Sequence, residues 1–91
     1  MAPSYFRDWV TKPMTAICAR IHAGGGLVHV HSHGPLNAVL EQFAEMGADV
    51  LHPIESPPTG DVPLSDAKRR IGEEVCLEGN IQIGDLYAAE E

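Results

Sequence analysis

The residues with most chemistry in this 91-residue sequence are three alternating histidines, set in Leu27-Val28-His29-Val30-His31-Ser32-His33-Gly34. As a β-strand, the run sends successive side chains to opposite faces, so His29, His31 and His33 share one face. Same-face neighbours are about 6.6 Å apart along a strand, close enough for two imidazoles to converge on one ion beyond its end. Neutral imidazole is a common ligand for zinc-like ions. His31 and His33 therefore read either as a pair contacting metal or substrate, or as polar residues capping a buried strand. His29, one pleat deeper, reads as structural.

Positioning such a pair requires flanking elements, and the chain supplies them in order. From about Phe6 to Ala23, Val10, Met14, Ile17, Cys18 and Ile21 fall at helical spacing and predict one buried stripe. Pro13 marks the first turn of the main helix, with an irregular lead-in around Trp9. Gly24-Gly25-Gly26 ends it. Phosphate loops also use glycine runs, but they follow a strand and open a helix, the reverse of this order. Pro35 suits the first position of a second helix, whose face is Leu36, Val39, Leu40, Phe43 and Met46 and whose stop is Gly47. Asp49 to Glu55 predicts a strand in which Pro53 ends ladder pairing. Ser56 to Pro63 is a proline-rich loop, and Asp61 reads as its cap or turn residue. Ser65 is expected to cap a helix holding Ala67, Lys68 and Ile71, stopped by Gly72. Glu74 to Leu77 predicts a third strand, Glu78-Gly79-Asn80 a turn, and Ile81 to Glu91 a further loop and helix.

Helix-stopping glycines thus fall at 24, 47 and 72. Units of that length suit right-handed βα crossovers and a parallel sheet, in which functional groups gather at the carboxyl ends of the strands. Those ends carry His31-Ser32-His33-Gly34, His52-Pro53-Ile54-Glu55 and Glu78-Gly79-Asn80.

Composition narrows the function. A hydrophobic fraction of 44% is that of a globular chain, and 91 residues suffice for one small domain, 1–91. Net charge is −7, from 6 Lys+Arg against 13 Asp+Glu, with Arg69-Arg70 the one basic pair; nucleic acid and anionic membranes are disfavoured as partners. Cys18 and Cys76 form no CxxC pair and sit in apolar runs, so both read as buried free thiols in a reducing compartment. No apolar stretch has the roughly 20 residues of a membrane span, and no secretory signal is visible, which makes the cytoplasm the expected location.

Taken together, His31-Ser32-His33-Gly34, Gly47-Ala48-Asp49, His52-Pro53-Ile54-Glu55, Pro57-Pro58-Thr59-Gly60-Asp61 and Gly79-Asn80-Ile81 resemble the uroporphyrinogen decarboxylase family. That family includes the corrinoid- and coenzyme M-type methyltransferases. The resemblance runs from about Pro13 to Tyr87 and implies an α/β fold: part of a (β/α)8 TIM barrel, about three parallel strands alternating with helices. It further implies porphyrinogen carboxy-lyase chemistry in the complete barrel. The decarboxylases' substrate-gripping arginines and key aspartate lie in the earlier part of that barrel and have no match here. The alternative is zinc-dependent methyl transfer, in which a His-x-Cys pair and a later cysteine hold the metal. His31 matches that histidine, His33 stands where the cysteine would be, and the later cysteine lies beyond the end of this sequence. Histidine still ligates zinc, but without thiolates the ion is less electron-rich.

At the neighbouring strand end, Glu55 reads as a third, oxygen ligand or as a solvated loop carboxylate. Gly79 and Asn80 read as a turn or as substrate contacts. Cys76 is expected to point into packing rather than serve as a thiolate ligand. The expected partner is a small molecule: a tetrapyrrole, or a methyl donor and thiol. A second expectation is a non-catalytic module that completes a barrel with another chain or by self-association. The ending Tyr87-Ala88-Ala89-Glu90-Glu91 favours truncation.

Overall fold

The computed structural model describes residues 2–88. A helical run opens the chain as α1 (Pro3–Phe6), a π-helical turn (Arg7–Thr11) and α2 (Lys12–Ala23). Next come β1 (His29–His31), a 3-10 turn (Asn37–Val39), α3 (Leu40–Met46) and β2 (Val50–His52). The rest is α4 (Leu64–Ile71), β3 (Cys76–Leu77) and α5 (Ile83–Ala88). The strands make one parallel sheet in the order β1-β2-β3, pairing His29 with Val50, His31 with His52, and Leu51 with Leu77. The α/β alternation and parallel pairing agree with the sequence reading. Of the expected final segment, Ala89 to Glu91 lies outside the described residues.

The π turn has a local cause. Proline lacks an N–H, and its ring crowds the carbonyl four residues back. Here that carbonyl belongs to Trp9, and the helix widens just before Pro13, with the Lys12 N–H reaching the Arg7 carbonyl. Only part of the expected stripe is covered. Cys18 is buried and Val10 and Met14 pack on the core, but Ile17 and Ile21 are exposed because, among the described residues, no element lies against that side of α2. The buried polar contact on this run is Thr11, whose hydroxyl donates to Gln42 Oε1 at 2.6 Å.

Other boundaries also differ from expectation. Pro35 does not start a helix; α3 begins at Leu40 after the 3-10 turn. The free N–H groups at that entrance are taken by Asp61, whose Oδ1 accepts from Leu36 (2.8 Å) and Asn37 (2.9 Å). Asp61 therefore caps a distant element and not its own loop. Ser65 lies inside α4 and does not cap it; Pro63, extended at φ −61°, ψ 142°, is the N-cap, and its carbonyl accepts from Asp66 and Ala67. Gly47 ends α3 in the left-handed conformation, φ 96°, as its place in the sequence requires.

Helices cover one face of the sheet. Val28, Leu51 and Val75 are buried there with Leu40, Phe43, Met46, Ala67 and Ile71, while Val30 and Leu77 pack at the margin. Full burial of a Leu or Phe contributes about 1.5–3 kcal/mol, which makes this cluster the main stabilising term. Because side chains alternate, the opposite face receives His29, His31, Val50, His52, Cys76 and Glu78. Cys76 is accordingly exposed, which corrects the reading of a buried thiol pointing into packing: Val75 and Leu77 occupy the core side, so the residue between them must face outward. Cys18 is buried as expected. Three strands are too few to close a barrel, and among the described residues β1 and β3 each have one unpaired edge. No helix among the described residues is long and apolar enough to cross a membrane.

Candidate functional site

The carboxyl ends of the three strands lie side by side, and the polar residues expected there converge. Beyond β1, the chain turns at Gly34, whose N–H donates to Glu55 Oε1 at 3.1 Å; the same oxygen lies 3.2 Å from His33 Nδ1. The Glu55 side chain is 11% exposed, so it is not a solvated loop carboxylate. The Gly34 N–H, and after it the His33 imidazole, hold its carboxyl below the ordinary carboxylate value against the opposing effect of burial.

Beyond β3, Gly79 and Asn80 both adopt left-handed backbone, φ 101° and 106°. A Cβ on Gly79 would stand 3.0 Å from Pro53 Cβ, so only glycine lets this turn lie against the end of β2. The Asn80 side-chain amide donates to Ser56 Oγ at 3.0 Å. Gln82 Nε2 donates to the Ser56 carbonyl at 3.3 Å, and the Thr59 hydroxyl donates to Gln82 Oε1 at 3.0 Å. Together these bonds fasten the segment after β3 to the proline-rich loop after β2. Between them opens a cleft of about 340 Å³ whose polar lining is His33, His52, Glu55, Thr59, Asn80 and Gln82, with Gly79 at its wall.

Of the residues singled out by sequence, His33, Glu55, Gly79 and Asn80 thus share one cleft. His31 does not line it. Its ring sits 4.5 Å from that of His33, centroid to centroid, and its Nδ1 lies 3.0 Å from His52 Nδ1. His31 instead borders a second, mostly apolar cleft of about 400 Å³ beside β1, with Phe6, Val10 and Met14. His29 is exposed on the open face, with Nε2 3.5 Å from Glu78 Oε2. Among the described residues, no group of three or more His, Cys, Asp or Glu side chains is placed to hold a metal ion. For the set His31, His33 and Glu55 the fit is therefore one of neighbours, with His33 already turned to Glu55.

His52 is the residue the sequence reading noted at a strand end without assigning to the site. The signal that would have selected it is register, since it pairs with His31 across β1 and β2. The fifth histidine, His22, serves packing: its Nε2 meets Asp49 Oδ2 at 2.7 Å, and that oxygen also accepts the Val28 N–H at 2.7 Å.

Parallel βα units with polar groups collected at the carboxyl edge define an α/β protein of the kind that places its site at strand ends. A family model described as Uroporphyrinogen decarboxylase (URO-D) matches residues 1–91. The chain belongs to the uroporphyrinogen decarboxylase family. Comparison with curated proteins and with solved structures gave no match.

Proposed function

We propose that the chain contributes the strand-end wall of a uroporphyrinogen decarboxylase-like substrate site, and that the complete barrel performs porphyrinogen carboxy-lyase chemistry. The observation supporting this is the cleft of about 340 Å³ in which His33, His52, Glu55, Asn80 and Gln82 meet. Its imidazoles and amides can donate hydrogen bonds to substrate carboxylates, and its apolar members Pro53, Ile81 and Ile83 offer surface to a tetrapyrrole ring. No lysine or arginine lines it. The cationic groups for a polyanionic substrate must then come from other strands, and this chain alone is expected to bind without turning over.

The test is a fluorescence titration with uroporphyrin, a stable stand-in for the porphyrinogen. The wild-type chain should bind, and Asn80→Ala combined with His33→Ala should weaken binding about tenfold, the effect of losing one or two hydrogen bonds to charged groups. Equal affinity in the double variant would remove the cleft from consideration.

A second reading is zinc-assisted methyl transfer with His31, His33 and Glu55 as ligands, favoured by the gathering of His29, His31, His33 and His52 at these strands. When bound, zinc would supply Lewis acidity and lower a thiol pKa. The open sheet face and its two edges also favour a partner chain, or a second copy, covering them.

A further inference from the structure

We propose that His31 and His52 form a two-imidazole chelate for a divalent transition ion of the zinc type, bound through both Nδ1 atoms on the uncovered face of the sheet. It shares the ion and His31 with the metal reading above and rests on that much of it, but replaces His33 and Glu55 by His52, a ligand that the sequence spacing does not name. The two residues are direct partners in the β1–β2 ladder, so their Cβ atoms stand side by side on one face and their separation is set by the sheet itself. Their Nδ1 atoms are 3.0 Å apart. Two nitrogen ligands of a tetrahedral ion at the usual zinc–nitrogen length of about 2.0–2.1 Å stand about 3.3–3.4 Å from each other. A few tenths of an ångström of side-chain motion therefore separates the observed pair from a chelating one.

The protonation logic points the same way. Two Nδ1 lone pairs cannot face each other at this distance unless a proton lies between them, so one imidazole donates Nδ1–H and the other accepts. A divalent ion can take the place of that bridging proton, which passes through solvent to the donor ring's Nε2, leaving both rings neutral with hydrogen on Nε2. Among the described residues, neither imidazole makes a side-chain hydrogen bond to any group but the other. His33 and Glu55 are by contrast engaged with each other, and Glu55 also accepts the Gly34 N–H. His31 is exposed and His52 half-buried, so an ion reaches them from solvent and keeps positions open for water or an exogenous ligand.

The experiment is a zinc titration of the full chain, followed by calorimetry and by long-range ¹H–¹⁵N NMR of the histidine rings. The expected result is one ion per chain, with the Nδ1 signals of His31 and His52 moving to metal-bound positions. His31→Ala and His52→Ala should each lower affinity by more than about 100-fold, beyond the roughly 10–100-fold that loss of an outer-shell partner costs. His33→Ala should leave it unchanged. His52→Gln, checked for native circular dichroism, guards against a folding artefact. If zinc binds but His52→Ala is silent while His33→Ala abolishes binding, this assignment falls and the His31–His33 reading stands. If the wild-type chain takes up no zinc at about 1 mM, both fall.

Discussion

At the scale of single residues, the site is governed by one carboxylate. Glu55 joins the ends of β1 and β2 by accepting from Gly34 and meeting His33, and those contacts keep its carboxyl below the ordinary value of 4.5. A group whose folded value is depressed adds stability that is present above its unfolded value and is lost as pH falls through the folded one. Glu55→Gln should therefore destabilise the chain at neutral pH, with the difference from wild type shrinking as pH falls below 4.5. Urea midpoints measured across that range check this; a constant difference would contradict it. How much of this was legible varies by residue. The strand ends and the glycine at 79 stood out as turn chemistry, and Cys18 as a buried thiol. The outward face of Cys76 was also available from parity, given apolar Val75 and Leu77 on either side, but a two-residue strand carries too short an alternation to fix it. The His31–His52 contact could not be read, because register between two strands is a property of the folded pair.

At the scale of elements, α3 and α4 are held together by one guanidinium. Arg70 on α4, 18% exposed in its side chain, donates to both Glu41 oxygens at 2.7 Å, and to the Asn37 carbonyl at 2.8 Å. It also reaches Asn37 Oδ1 and Asp66. The carboxyl of Glu41 is held low chiefly by its hydrogen bonds to Arg70. A planar fork engaged at several points is not replaced by a point charge. Arg70→Met should cost about 1–3 kcal/mol, and Arg70→Lys should recover little of it. Urea denaturation measures both; full recovery by lysine would show that charge alone matters. The order of elements was legible because Gly24, Gly47 and Gly72 punctuate it and because the apolar runs at 27–28, 50–51 and 75–77 suit buried strands. The helix starts were not, since the groups that set them lie elsewhere: Asp61 satisfies Leu36 and Asn37 from 25 and 24 residues away.

At the scale of the whole molecule, the described residues cover the sheet on one face only. The open face and the two strand edges, which a parallel sheet ordinarily covers, lie exposed together with the apolar side chains of Trp9 (76% exposed) and Leu27 (80% exposed). Sedimentation velocity should therefore show association that grows with chain concentration; a monomer at every concentration would mean that the open face is tolerated in water. The strand-end cleft is tested most directly by a ¹H–¹⁵N correlation spectrum of the chain titrated with uroporphyrin. Shifts concentrated at residues 33, 52, 54, 55 and 79–84, with α2 and its outward face unmoved, are the predicted result. Shifts centred instead on the apolar cleft of Phe6, Val10 and Met14, or no saturable change at all, would contradict it.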